Sequence, residues 1–271
     1  MKLKRALRFF TMILCVCATV LAAPFTHADD AERRSGESAF VYHAEGRDFT
    51  ITHSGRRTVF SADSVSGEGI SLPRSALINT ALDTAVELQL IPSGIVLRME
   101  DNTALVYYGT GNGGTNGSFA DIQLLYGRIR VVSGGKPDRG NDLLAAINSI
   151  VVRNGDFAVQ ITEGDIGLDF IFDTGAGTPL LSIHAFTGTA EASSLRQPEA
   201  SRRSITAGAG EYLLLQTLES HTFMERGPLA RNIVDYWASR SFAGTPPIAM
   251  PAPAFSAELD AGELPLPLVS R

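Results

Sequence analysis

Val86-Glu87-Leu88-Gln89-Leu90, Pro92-Ser93-Gly94 and Ile95-Val96-Leu97-Arg98-Met99 are consecutive pieces of one stretch, and their order decides the fold. The first run alternates apolar and polar residues, which places Val86, Leu88 and Leu90 on one face of an extended strand. Pro92-Ser93-Gly94 has turn chemistry and the second run returns the chain, so the stretch reads as a β-hairpin. The same rhythm spreads outward. Towards the N-terminus, Phe40-Val41-Tyr42, Phe49-Thr50-Ile51 and Thr58-Val59-Phe60 are short apolar runs separated by Gly46 and Gly55. Towards the C-terminus, Ile122 to Tyr126 leads through Gly127 into Ile129-Arg130-Val131, and Ile150 to Val152 leads through Asn154-Gly155 into Phe157 to Val159. Leu168 to Phe172 follows, then Leu181 to Phe186 through Gly188 into Ala190 to Ala192, and finally Tyr212 to Leu215. Short strands punctuated by glycine predict an all-β domain over 39–216, a multi-stranded sandwich or a β-roll of solenoid-like character. Asn141 is placed to cap a short helix over Leu143 to Ile147.

The pattern changes after Gln216. Leu229, Ile233, Val234 and Trp237 recur at helical spacing just beyond Pro228, a residue suited to a first helical turn. Leu229 to Arg240 therefore reads as an amphipathic helix within an appendage over 217–244. Its apolar stripe carries the only tryptophan and reads as a plug on the β-domain. From Thr245 the chain is rich in proline and alanine (Pro246-Pro247, Pro251, Pro253, Pro265, Pro267), which predicts an extended or disordered tail over 245–271.

The N-terminus carries a different signal. Lys2, Lys4, Arg5 and Arg8 precede an uncharged apolar run from Phe9 to Ala23, and Thr26-His27-Ala28 sets small residues where a signal peptidase cuts. The run is shorter than the roughly 20 residues of a spanning helix, so cleavage after Ala28 is expected rather than anchoring. Lipid attachment at Cys15 or Cys17 is the rival, although Leu14 and Val16 stand where a lipobox wants a small residue. Asp29 to Ser38 then reads as a flexible leader. The expected location is the periplasm or the cell surface. Of 23 basic and 29 acidic residues, 1–28 hold four basic and no acidic ones, so the mature chain is acidic, with Lys136 its only lysine. Such a chain is poorly suited to nucleic acid or anionic lipid. Both cysteines leave with the leader, which excludes disulfides, thiol nucleophiles and cysteine-ligated metals from the mature protein. No later apolar stretch is long enough to cross a membrane.

Glu68-Gly69-Ile70-Ser71, Asn79-Thr80, the Val86–Leu90 strand, Pro92 to Arg98 and Asn102-Thr103 follow one another in an order that resembles the FecR-type domain. The resemblance continues through Leu124 to Val131, Gly155-Asp156-Phe157-Ala158-Val159, Phe186 to Glu191 and Ala209-Gly210-Glu211, and covers roughly Phe40 to Leu215. It implies an extracytoplasmic sensing or interaction module. Glu68-Gly69 stands where the family often has Gly-Asp. A leader also replaces the anti-sigma segment and membrane helix of the iron regulators, so sigma-factor regulation is not carried over.

Phe172-Asp173-Thr174-Gly175-Ala176 resembles the active-site loop of aspartic proteases. That chemistry needs two carboxylates about 3 Å apart sharing a proton. No second Asp-Thr/Ser-Gly exists, so Asp173 could serve only in a symmetric homodimer; the simpler expectation is a polar turn from Asp173 to Pro179. The glycine-rich run Gly109 to Gly117 lacks the Gly-Lys-Ser/Thr ending of a phosphate loop and reads as a flexible surface loop. Within it, Gly111, Asn112, Gly113, Thr115 and Asn116 are candidate contact residues. His43, His53, His184 and His221 show no metal-ligand spacing, and His184, opposite Leu181, Ile183 and Ala185, is expected to face solvent. No Gly-x-Ser-x-Gly occurs, and no cofactor is implied. The leading expectation is an exported, non-enzymatic binding or sensing module contacting an envelope protein or surface polymer. The rivals are the homodimeric protease and a structural component that assembles through its C-terminal region.

Overall fold

The computed structural model describes residues 38–65, 69–91, 93–112, 118–134, 147–173, 177–197, 203–218, 221–247 and 253–254. The expected leader and its cleavage site lie outside them. Among the described residues fifteen strands join in one continuous sheet, so the fold is all-β as the alternation predicts. In chain order they are β1 (Ser38–Glu45), β2 (Asp48–His53), β3 (Arg56–Ser61), β4 (Ile70–Leu72), β5 (Ala76–Thr80), β6 (Ala85–Ile91), β7 (Val96–Met99) and β8 (Ala104–Asn112). There follow β9 (Ser118–Ser133), β10 (Ile147–Asn154), β11 (Phe157–Asp173), β12 (Thr178–Ser194), β13 (Ser204–Gly208), β14 (Glu211–Leu218), β15 (His221–Pro228) and the helix α1 (Arg231–Ala238).

The hairpin expected from the Val86–Leu90 alternation is β6–β7, paired from Val86↔Met99 to Gln89↔Val96. Its turn is closed by the Gly94 N–H on the Leu90 carbonyl at 2.9 Å and by the Ser93 hydroxyl donating to the same oxygen at 3.1 Å. Asn154-Gly155 likewise joins β10 to β11.

Three strands are much longer than the sequence suggests: β9 has 16 residues, β11 and β12 have 17 each. Each belongs to two layers. The first layer runs β4-β1-β6-β7-β9-β11-β12-β14-β15, using the C-terminal parts of β9 and β11 and the N-terminal part of β12. The second runs β3-β2-β5-β8-β9-β10-β11-β12-β13, using the other parts of the shared strands, with β9 and β10 parallel. Inward residues of both layers, such as Val41, Leu88, Leu97 and Ile183 from one and Ile51, Ile78, Leu105 and Ile150 from the other, form one buried core.

Gly127 and Gly188, read as breaks between strands, are instead bends inside them. Gly188 of β12 lies opposite Gly164 of β11, with φ of 71° and 133°. A Cβ on Gly188 would fall 2.0 Å from the Glu163 carbonyl oxygen, and one on Gly164 2.2 Å from that of Thr187. Two backbones can cross this closely only because both residues lack a side chain.

Ile147 opens β10 rather than closing a helix, and 141–146 lie outside the described residues. The sheet also runs beyond residue 216, through the end of β14 and all of β15. The helix is shorter than Leu229 to Arg240. Pro228 still pairs with Glu211, and the Leu229 N–H is bonded to the Gly210 carbonyl at 2.8 Å, so helical hydrogen bonding starts only after Ala230.

Gly188→Ala should lower the unfolding free energy by about 2 kcal/mol or more, since a left-handed backbone and a clash combine there. Gly155→Ala, also left-handed but with nothing within 4 Å of its Cβ, should cost less. Urea unfolding midpoints of the two variants check this; equal losses would remove the clash from the account.

Candidate functional site

Strand register lines up one residue from each of eight strands across the outer face of the first layer. The row runs His43, Glu87, Arg98, Arg130, Gly167, His184, Tyr212, Gly227. Alternation normally gives such a row to water. Here Glu87, Arg130 and Asp165 are each 0% exposed, because the chain's C-terminal segment lies over them.

The charges are first paired within the sheet. Arg98 bonds Glu87 at 2.8 Å, Glu100 at 2.9 Å and also Glu45. Arg130 grips Asp165 through two bonds, 2.8 and 2.6 Å, and Arg128 holds Asp169 at 2.9 Å. The C-terminal segment then meets lone pairs of Glu87 and Asp165 with its main chain, while the buried Asp169 Oδ1 has no hydrogen-bond partner among the described residues. Ala243 and Gly244 donate N–H groups to the two Glu87 oxygens at 2.8 and 3.0 Å, and Ala254 donates to Asp165 Oδ2 at 2.7 Å. Arg130 in turn donates to the Arg240 carbonyl at 3.2 Å. The bonds to Glu87, Arg130 and Asp165 offset part of the penalty these ions incur on losing water.

Helix α1 supplies the apolar part of the seat. Trp237 lies over Gly167, where a Cβ would sit 2.8 Å from the indole, and its Nε1–H donates to His184 Nδ1 at 3.1 Å. Phe186, Leu229, Val234, Trp237 and Ala254 form a second apolar cluster, separate from the main core. This corrects the expectation for His184. It does stand opposite Leu181 and Ile183, but the helix covers that face and leaves it 7% exposed. Burial, and then the Arg128 cation, push its pKa down to about 4, so it is held neutral as an acceptor.

A second feature stays open. At the end of the sandwich where the β5–β6 and β7–β8 turns meet the bend of β9 and the end of β11, a cleft of about 330 Å³ is walled by Leu82, Tyr126, Phe170, Ile171 and Phe172, with Asn102 and Arg128 among its polar lining. Leu82 (65%), Phe172 (62%), Tyr126 (45%) and Ile171 (42%) are unusually exposed for large apolar residues. The scaffold behind them is rigid. The Thr80 hydroxyl donates to the Glu100 carbonyl at 2.7 Å and accepts the Thr103 N–H at 2.9 Å; the Thr103 hydroxyl accepts the Arg128 N–H at 2.9 Å. Both threonines belong to the Asn-Thr steps of the family-like order, and here they stitch turns to strands.

Asp173 ends β11, paired with Thr178 across the turn into β12; 174–176 lie outside the described residues. Gly111 and Asn112 are strand residues of β8, paired with Phe119 and Ser118, so the glycine-rich loop is shorter than expected; Gly113, Thr115 and Asn116 lie outside the described residues. Among the described residues no cluster of histidine, cysteine or carboxylate side chains could hold a metal, and no helix is long and apolar enough to cross a membrane.

No family model matches the chain, and no curated protein does. Two crystal structures of what is described as a "putative anti-sigma factor" from Parabacteroides distasonis are similar, with TM-scores of 0.39 and 0.40 and identities of 13% and 12%. The matched regions cover 58% and 59% of this chain and 62% and 64% of those, so it spans less than two thirds of their length.

Trp237 is the only tryptophan, so its emission reports whether the C-terminal segment is seated. The folded pKa of His184 lies below the ordinary 6.5, so the unfolded chain takes up the proton first. Its contribution should be whole above about pH 6.5, decline by about 3 kcal/mol as pH falls towards 4, and stay flat below. Burial pushes the Glu100 and Asp169 carboxyls upward, against their arginine partners, which works in the opposite sense as pH falls. Comparing wild type with His184→Gln, whose amide oxygen can still accept the indole N–H, separates the two. The difference in Trp237 emission and unfolding midpoint should vanish above pH 7; equal pH slopes would remove His184 from this role.

Proposed function

We propose that this chain is an exported, non-enzymatic binding module of the bacterial envelope, and that it takes an apolar segment of an envelope protein into the cleft at Leu82, Tyr126, Ile171 and Phe172. The observation that carries the reading is the convergence of four large exposed apolar side chains on one concave site backed by a rigid sheet. A polypeptide suits this lining better than a surface polymer. Leu82 and Ile171 offer apolar area and no hydrogen-bonding group, whereas a polysaccharide needs polar partners for its hydroxyls. Arg128 and Asn102 at the site leave room for main-chain recognition. Export rests on the basic start, the apolar run and the Thr26-His27-Ala28 step, and it fits a chain whose only cysteines are Cys15 and Cys17.

A photo-crosslinking residue at Phe172 should capture a discrete envelope protein, and one at Val59, equally exposed but on β3, should not. Ile171→Ser with Tyr126→Ser should abolish that capture while lowering stability by only about 1–2 kcal/mol per site, since each side chain is roughly half buried. Equal capture from both positions, or capture that survives the substitutions, would sink the cleft as the binding site. Amino-terminal sequencing of the protein from the envelope should begin at Asp29; an intact Met1 on a cytoplasmic product would end the export reading.

A further inference from the structure

The segment that covers the charged row is attached to the rest of the molecule in an unusual way. It leaves the sheet at the edge strand β15, crosses the outer face, and ends its described path with Gly244 against His43 of β1 and Ala254 on Asp165 of β11. Between the last β15 pair, Pro228↔Glu211, and α1 there are only Leu229 and Ala230. Beyond them the described segment is held through the surface it lies on.

We propose that the described parts of the C-terminal segment, 229–247 and 253–254, form a releasable strap, and that the groove beneath it also accepts the same segment from a second copy of this chain. Three observations converge. The ion pairs under the strap, Arg98–Glu87, Arg130–Asp165 and Arg128–Asp169, are made between neighbouring strands, so the uncovered groove remains a paired surface compatible with water. The strap gives those charges main chain, the N–H groups of Ala243, Gly244 and Ala254 and the Arg240 carbonyl, together with the Tyr236 hydroxyl on Arg128 at 3.0 Å, and all of these can be presented equally well from another molecule. The side-chain fit is specific to this sequence: the indole fills the space left by Gly167 and bonds His184, and a Cβ at Gly244 would come 2.4 Å from that of His43. A second copy carries every one of those features. Exchange of an identical element about a short hinge needs no new contact.

The test uses the full chain with Cys15→Ser and Cys17→Ser, in two versions with tags of different size, one His43→Cys and the other Gly244→Cys. In the Gly244→Cys chain the new side chain collides with its own His43, which loosens the strap at home. In the partner His43→Cys groove the imidazole is gone and a thiol stands in its place. Mild oxidation of the mixture should give a covalent heterodimer, severalfold above that from Gly244→Cys mixed with the exposed Ser54→Cys. An excess of synthetic peptide 229–254 should abolish it, and the same peptide carrying Trp237→Ala should not. Heterodimer no greater than the Ser54→Cys control, or unaffected by the peptide, overturns the proposal. Should either cysteine variant fail to fold, the unmodified chain answers alone. Labelled peptide 229–254 should bind it saturably by fluorescence anisotropy, and absence of saturable binding overturns the proposal equally.

Discussion

The Arg130–Asp165 pair is the constraint around which the outer face of this molecule is arranged. Both side chains are fully buried, and desolvating two such ions costs several kcal/mol each before any interaction is made. The pair offsets that cost by bidentate geometry between adjacent strands and by donors and acceptors brought from above, at Ala254 and Arg240. A cover of plain apolar side chains would have stranded those lone pairs. The cover therefore combines a short helix, whose Trp237 sits over Gly167, with irregular chain that turns its N–H groups downward. Arg98 and Glu87 repeat the same solution two strands away.

Much of the inner architecture was readable because the core obeys the period of two. Val86, Leu88 and Leu90 point inward as their alternation requires, and the turn at Ser93-Gly94 closes where turn chemistry predicts. The polar half of the same pattern was not readable. Alternation says that Glu87 and His184 face away from the core; it does not say what lies beyond. The answer for Glu87 comes from Ala243, 156 residues later, and no local signal links the two. The apolar cleft did leave a trace. Phe170-Ile171-Phe172 breaks the alternation at the end of a strand, placing apolar groups on both faces at once, and Leu82 stands alone in a turn.

Glycine was the most ambiguous letter. At Gly94 and Gly155 it marks true turns; at Gly127, Gly164 and Gly188 it lets strands continue around a corner. Both uses demand a left-handed or closely approached backbone, so sequence alone sees the same demand. What separates them is whether the flanking runs pair with each other or with different partners, which is a property of the whole sheet.

The three corner-turning strands also set an order for assembly. β9 needs β7 and β8 before it and β10 and β11 after it, while β11 and β12 each serve both halves of the sheet. A chain emerging from its N-terminus can form the early hairpins locally, yet the second layer is complete only when β13 has appeared and the first only when β15 has. Pairings this distant in sequence form slowly and leave strand edges unpaired in the meantime. A polypeptide of this topology reaches its final pairing only when nearly all of the sheet's strands are present together.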